Sequence, residues 1–220
     1  MKIFKRFVLL VAVSASNFLV ASPLTAQPEP TLAIAFGESS IRIEGASRSG
    51  EVVWFSIASE SSGYASTTVP RSGSGSADAR GVATVDLEDR IPPHSIWAAV
   101  DLASGAFALA TPETYPLRRS ALNPEAIQAD SSGRSRWLHA NRSDLHLLLV
   151  RPGVGAWVGR FSDGSSDDAD LETDGNLIAD LGNLRPVGNT RSILEEFRGG
   201  DVLIGIDPLQ MDVISFRLQD

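Results

Sequence analysis

Six carboxylate residues lie close together in residues 161–176, and this loop offers the clearest chemistry in the chain. They are Asp163, Asp167, Asp168, Asp170, Glu172 and Asp174, and no basic residue lies among them. At about 4 Å two such charges repel by about 1 kcal/mol even in bulk water, unless water or a hard cation absorbs the charge. Calcium prefers clustered carboxylate and carbonyl oxygens. We therefore predict a calcium site with these six residues as candidate ligands.

The segment Asp170-Leu-Glu-Thr-Asp-Gly-Asn-Leu177 resembles the loops of EF-hands and the aspartate-rich calcium repeats of extracellular proteins. Oxygen-bearing residues alternate along it, glycine occupies the sixth place, and an apolar residue follows two places later. The resemblance covers about a dozen residues and implies that the odd positions carry the ligands.

The segment departs from the EF-hand pattern at the twelfth place. Leu181 stands where the bidentate glutamate is expected, and Asp180 lies one residue early. No helix signals flank the loop, which favours a calcium-binding hairpin loop in which Asp163, Asp167 or Asp168 supplies the missing ligand. A solvated polar turn without a metal is the alternative, since charge runs are commonly exposed loops.

The first 26 residues have the order of a secretory signal peptide. Lys2, Lys5 and Arg6 precede a mostly apolar run, and small residues around Ala26 offer a cleavage point. The apolar run is shorter than the roughly 20 residues that a membrane span requires. We expect a secreted or periplasmic protein with no membrane span after removal of the signal.

Composition excludes several kinds of chemistry. The chain has no cysteine, so it has no disulfide and no thiol nucleophile. Removing the three cations of the signal lowers the formal net charge from −8 to −11, which disfavours binding to nucleic acid. Both lysines lie in the signal, which excludes Schiff-base chemistry and phosphate-loop lysines from the mature protein.

Short apolar runs separated by turn residues predict an all-β fold of two sandwich-like units. The expected strands are 31–36, 40–44, 51–57, 66–69, 82–87, 96–102 and 107–111 in the first half, and 144–150, 155–161, 176–181, 201–206 and 211–218 in the second. Apolar residues alternate most clearly in 40–44 and 82–87, as in strands with one buried face. Seven brief strands suggest an antiparallel, immunoglobulin-like sandwich, with Trp54 and Trp97 filling a core that lacks the Cys-Trp-Cys pattern.

The expected domain organisation follows from these patterns. It comprises a signal peptide over 1–26, an immunoglobulin-like β-sandwich over 27–112, a linker over 113–136, and a second β domain with the acidic loop over 137–220. Asn123 and Pro124 predict a short helix over 124–129 within the linker. We also expect a mobile exposed loop over 71–80, a weak helix over 191–197, and hairpin turns at 103–105 and at Pro152-Gly153.

Other candidate sites have simpler explanations. His139 and His146, with Asp144, are possible zinc ligands, although lone histidines on strands are usually packed or exposed without a role. The glycines of 153–159 imitate a dinucleotide fingerprint, but a strand pattern follows where a helix is required. A serine hydrolase would need His94, His139 or His146 as its base, and a Gly-x-Ser-x-Gly elbow is absent from the sequence.

These observations lead to two hypotheses of function. The first is a secreted, non-catalytic β protein with a binding or structural role, stabilised by calcium and recognising an unknown protein or carbohydrate ligand. The alternative is a secreted hydrolase acting on polysaccharide or peptide, with its site between the two units.

Overall fold

The computed structural model describes residues 18–23, 32–62, 65–112, 118–119, 127–130, 134–137, 145–162, 164, 177–208 and 212–218. These residues form seventeen strands and one short 3-10 turn, Leu181–Asn183. The strands of the first half are β1 Phe18–Pro23, β2 Ala33–Phe36, β3 Ser40–Glu44, β4 Glu51–Ser62, β5 Ala65–Ser76, β6 Val82–Asp86, β7 Ser95–Asp101 and β8 Phe107–Ala110. Those of the second half are β9 Arg118–Arg119, β10 Ile127–Asp130, β11 Arg134–Trp137, β12 Leu145–Arg151, β13 Gly155–Phe161, β14 Leu177–Asp180, β15 Arg185–Val187, β16 Val202–Asp207 and β17 Asp212–Leu218.

The predicted all-β fold is confirmed. Three sheets have the strand orders β2-β3-β6, β5-β4-β7-β8 and β14-β11-β10-β1-β17-β16-β12-β13-β15, and β9 pairs with β17 outside the last path. Described neighbours are antiparallel, except that β9 and β17 run parallel. Phe18–Pro23, inside the predicted signal peptide, pairs with β10 over its first half and with β17 over its second.

The two small sheets pack face to face around an apolar core. Ile41 and Ile43 of β3 are fully buried, whereas Arg42 between them is exposed. This period of two is what a strand with one solvated face requires. Trp54 of β4 and Trp97 of β7 fill the middle of this core, with ring centroids 5.6 Å apart, as their sequence positions predicted.

The four-stranded sheet is a middle layer whose central strands, β4 and β7, are buried on both faces. Every residue from Val52 to Ala58 in β4 is buried, and so is every residue of β7. Val53, Phe55 and Ile57 point away from the first core and pack in a second apolar cluster with residues of β12, β13 and β16. The two halves of the chain therefore share a core.

The large sheet is also covered on both sides. In β12, Leu148 and Val150 belong to the cluster shared with the middle sheet. Leu145, Leu147 and Leu149 alternate with them and pack on the opposite side with residues of β13, β14, β16 and β17. The segment 188–201 lies over this outer cluster and contributes Leu194 and Phe197 to it.

Both predicted hairpin turns are confirmed. Arg151 O accepts from Val154 N at 3.0 Å, and Gly153 between them has a φ of 74°. Proline followed by a glycine with positive φ is the pattern of a type II turn. In the other hairpin, Gly105 has a φ of 71°, and its N–H donates to Asp101 O at 2.8 Å.

The expected exposed loop over 71–80 is wrong for its first six residues. Residues 71–76 belong to β5 and pair with β4 as far as Glu51↔Ser76. Gly73 lies against the indole of Trp54, where an added Cβ would be only 2.8 Å from Cζ2. The Gly/Ser run, which has no apolar periodicity, forms a strand because it pairs with β4, and Gly73 leaves room for the Trp54 ring.

The two helices expected from sequence are also corrected. Residues 127–129, the part of the predicted helix 124–129 that the structure describes, lie in β10, which pairs with β1 and β11. Residues 191–197 have no regular structure. Side chains bind their carbonyl groups instead of a helical ladder: Trp157 Nε1 donates to Ser192 O and Arg151 Nη2 to Glu196 O.

Candidate functional site

The acidic loop joins two strands that end in the same apolar core. Its six candidate ligands, Asp163, Asp167, Asp168, Asp170, Glu172 and Asp174, lie outside the described residues. Phe161 before the loop and Leu177 after it are 0% and 1% exposed and belong to one cluster. Both ends of the loop are thus held by buried side chains, and the calcium site remains a prediction.

Asp180 has a local structural role after the loop. Its Oδ1 accepts from Gly182 N at 2.8 Å, which caps the N-terminus of the 3-10 turn. Leu181, at the place of the EF-hand glutamate, is buried in the outer apolar cluster. The buried leucine at the twelfth place has no ligand atom, as the sequence indicates.

The structure describes two of the three histidines. His146 is fully buried, and its ring centroid lies 6.4 Å from that of Phe55, between the middle and the large sheet. His94 is exposed in the loop before β7. His139 and Asp144, the other proposed zinc ligands, lie outside the described residues. Within the described part of the chain, no three His, Cys, Asp or Glu side chains group as metal ligands would.

A buried ion pair anchors segment 188–201 to the large sheet. Arg151 donates to Asp201 through Nε at 2.8 Å and through Nη2 at 2.7 Å, and the Asp201 side chain is 0% exposed. Arg198 N also donates to Asp201, at 2.9 Å. The hydrogen bonds to Asp201 raise the pKa of Arg151, against the opposing effect of burial. Such bidentate geometry fixes the position of both partners.

Asp101 forms a second buried polar cluster. Ser47 and Ser104 each donate a hydroxyl hydrogen bond to its Oδ2 at 2.6 Å, and the residue is 2% exposed. These bonds tie the loop before β4 to the β7–β8 hairpin. Sequence reasoning missed this cluster because Ser47 is 54 residues away from Asp101. The only local signal is the Asp101-x-x-Ser104 spacing at the turn.

Asp78 organises the exposed turn between β5 and β6. Its Oδ1 accepts from Arg80 N at 2.8 Å and from Val82 N at 3.0 Å. These two backbone hydrogen bonds, to Val82 and then to Arg80, lower the pKa of Asp78 below its usual 3.8. Stabilisation of the carboxylate by backbone donors accounts for the direction of the shift.

The two halves meet at an apolar cluster, and the buried imidazole of His146 lies beside Phe55 at the same junction. The buried members of the shared cluster come from β4, β7, β12, β13, β15, β16 and β17. At its margin, Gly153 N donates to Leu102 O at 2.7 Å and Asn189 N to Glu51 Oε1 at 3.2 Å. These hydrogen bonds join the two halves at the margin of the cluster, and the hydrolase alternative stays a prediction.

The glycines of residues 153–159 support the β12–β13 hairpin. Strand β13 begins at Gly155, so a strand and not a helix follows the glycine-rich turn. At Gly159 an added Cβ would lie 2.6 Å from Leu184 Cδ2, which explains the glycine by close packing. This geometry does not match a dinucleotide fingerprint.

No protein-family model, curated protein sequence or solved structure matches this chain. None of the described residues belongs to a helix of the length and hydropathy that a membrane crossing requires.

Proposed function

We propose that this chain is an exported, non-catalytic β protein with a binding or structural role. The observation that carries the proposal is the middle sheet, whose strands β4 and β7 are buried on both faces. Three sheets packed in this way form a stiff scaffold. Rigid scaffolds commonly present binding residues on their connecting loops.

We further propose that the first half is immunoglobulin-like. Its two sheets, β2-β3-β6 and β5-β4-β7-β8, have the order of strands A, B, E and C′, C, F, G in such sandwiches. Trp54 lies on the strand equivalent to C, where antibody domains carry a buried tryptophan. Trp97 on the F-equivalent strand contacts it within the same sheet.

The proposed place of action follows from the sequence. The signal-like N-terminus supports export to the periplasm, a cell surface or the medium. The acidic charge supports a protein or carbohydrate ligand over nucleic acid. Recovery of a specific partner by pulldown from the native envelope tests the binding role; measurable hydrolysis of polysaccharide or peptide by the purified protein would contradict it.

We propose that calcium bound by the acidic loop stabilises the second half. The density of carboxylates supports this, as do the buried side chains of Phe161 and Leu177 that hold both ends of the loop. Neutralising the loop would reduce repulsion between segments attached to the core. Extracellular calcium modules operate with dissociation constants of about 10⁻⁴–10⁻³ M, which suits a loop with an imperfect ligand set.

A thermal melt in millimolar calcium, compared with a melt in chelator, tests the metal. We expect the midpoint to rise by more than about one degree, because a ligand that binds only the folded state stabilises it. An Asp170→Asn/Asp174→Asn variant should lose this rise. Asp86→Asn, an exposed change on β6, should retain it. An unchanged midpoint for the unaltered protein would rule out the site.

A further inference from the structure

The β4–β5 hairpin is longer than the sheet to which it belongs. Strand β4 pairs with β7 only as far as Ala58↔Ser95, but its pairing with β5 continues to Ser62↔Ala65. The last four residue pairs therefore form a two-stranded ribbon beyond the end of β7. Strand β5 is last in the sheet order, so no described strand pairs with its outer edge.

The register shows which backbone groups of β5 face that outer edge. Ala77 N donates to Gly50 O at 2.8 Å, so these opposed residues form a hydrogen-bonded pair. Hydrogen-bonded and non-hydrogen-bonded pairs alternate in an antiparallel ladder. Ile57↔Pro70 is consequently a non-hydrogen-bonded pair, which suits a proline because it has no N–H. By the same alternation, the N–H groups of Ser66 and Thr68 point outward.

Residues 65–69 of the outer edge of β5 lack the features that usually prevent strand pairing, and Pro70 and Arg71 follow them. Natural proteins protect free edges with lysine, proline, bulges or inward-pointing charges. Residues 65–69 are Ala-Ser-Thr-Thr-Val, which contain no charged residue and no proline. In a chain with a net charge of −8, an uncharged strand edge is a place where two copies can approach closely.

We propose that the outer edge of β5 pairs with the same edge of a second copy of this chain, antiparallel about a two-fold axis at Thr68. The two Thr68 residues exchange two hydrogen bonds, and each Ser66 N–H donates to the Pro70 carbonyl of the other copy. Every outward N–H between residues 66 and 70 then has an acceptor, since Pro70 has none to satisfy. The two four-stranded sheets become one continuous sheet.

The opposite edge of the ribbon is a poorer candidate. A two-fold pairing through β4 would place Glu60 of both copies on adjacent strands. Like charges on neighbouring strands are destabilising. The outer edge of β5 carries no such conflict, so the proposal assigns the contact to β5.

Sedimentation velocity of the protein, processed by an exporting host, tests the proposal. We expect the dimer fraction to increase between about 10 µM and 1 mM, as a small and transient interface requires. Thr68→Pro removes the outward N–H, which donates no hydrogen bond to β4, and should weaken self-association at least about tenfold. Ser72→Pro is the matched control. The N–H of Ser72 also faces outward, but it lies beyond the four proposed hydrogen bonds between the two copies.

Circular dichroism verifies that both variants retain the fold. If Thr68→Pro does not fold, Thr68→Lys provides the second test, since it places two like charges at the two-fold axis and should also weaken the dimer. A protein that remains monomeric throughout this range would overturn the proposal. So would a Thr68 variant that associates as strongly as the unaltered protein, or a Ser72→Pro variant that is equally weakened.

Discussion

The absence of a side chain at Gly73 allows Trp54 to pack in the core between the two small sheets. An added Cβ would lie 2.8 Å from Cζ2 and 2.9 Å from Cε2 of Trp54, and Trp97 limits the movement of that ring. Gly73→Ala should therefore lower the free energy of unfolding by about 1–3 kcal/mol, as overpacking does. This loss exceeds the gain of about 0.4–1 kcal/mol that a Gly→Ala change brings through the unfolded chain.

Urea denaturation measures the effect of Gly73→Ala. Ser72→Ala, an exposed neighbour in the same strand, is the control and should stay within about 0.5 kcal/mol of the unaltered protein. Equal stability of the Gly73→Ala and Ser72→Ala variants would show that Trp54 does not pack against β5 as described.

Asp78 should titrate below its usual pKa of 3.8, because the N–H groups of Val82 and Arg80 bind its carboxylate. A carboxyl group with a lowered folded-state pKa contributes stability that is fully present above the unfolded pKa. This stability is lost as the pH falls through the folded pKa. Carbon-detected NMR of the carboxyl group should give a midpoint under 3.8.

Replacement of the Asp78 carboxylate tests its contribution to the pH dependence of stability. Asp78→Asn should weaken the dependence of stability on pH below 3.8 and leave the remaining acid sensitivity intact. A midpoint at or above 3.8 would contradict the role of the two backbone donors.

Individual residues were predictable from sequence where their type alone suffices. Trp54 and Trp97 were assigned to the core because large aromatic residues within strands are rarely left in water. The roles of Gly73 and Asp101 depend on strand pairing and on residues distant in the chain, such as Ser47. Local patterns contain no information of that kind.

At the scale of elements, the Arg151–Asp201 ion pair anchors segment 188–201 to the large sheet. Asp201 is fully buried and receives two hydrogen bonds from Arg151. Asp201→Ala leaves the Arg151 charge largely buried without its partner, so we expect a loss of about 3–5 kcal/mol. The loss should appear in urea denaturation and as faster amide exchange in residues 188–200.

Replacing both Arg151 and Asp201 distinguishes the cost of an unpaired buried charge from the loss of the anchoring hydrogen bonds. Arg151→Met/Asp201→Leu removes both charges and should be less destabilising than Asp201→Ala, because no unpaired charge remains. A double variant as unstable as the single one would show that the anchoring hydrogen bonds, rather than charge burial, dominate.

Several strands were predictable from sequence with close boundaries, whereas β1, β9, β10, β11 and β15 were not predicted. Ser40–Glu44 and Gly155–Phe161 match their predicted bounds, since β-branched and aromatic runs between turn residues specify them locally. The strands at residues 71–76 and 127–129 were not predicted. Their pairing with neighbouring strands overrides a weak local preference for strand in the first and a preference for helix in the second. Residues 191–197 were missed because side chains, and not a helix, bind their backbone.

For the whole molecule, the shared core predicts one cooperative unfolding transition. Phe55 lies on β4 but packs in the cluster formed with the second half. Phe55→Ala should lower the free energy of unfolding by about 3–5 kcal/mol and destabilise both halves together. Calorimetry should give a calorimetric enthalpy equal to the van't Hoff value.

Hydrogen exchange locates the effect of Phe55→Ala along the chain. The amides of β4 and β12 should lose protection by the same factor, whereas Val154→Ala, at a half-exposed turn residue, should leave both unchanged. Two separate transitions, or protection lost only in β4, would mean that the halves fold independently.

The sequence contains a pattern that indicates the packing of the two halves, although it was not used to predict that packing. Strands with one solvated face alternate, as 40–44 does. The runs Val52–Ala58 and Ser95–Asp101 are almost uninterrupted, which is typical of strands covered on both faces. Only the three-dimensional structure could show that the second face of these strands packs against the other half of the chain. The ligand and the calcium site stay predictions.

The doubly covered middle sheet also limits where another molecule can be recognised. Both broad faces of β4 and β7 are enclosed by the same polypeptide. Substitutions at those positions can therefore alter stability but cannot change a surface that a binding partner contacts. Under the proposed binding role, the contacts with a partner would therefore lie in turns, strand edges and the outermost layers. Diversification for a new target would have to begin there.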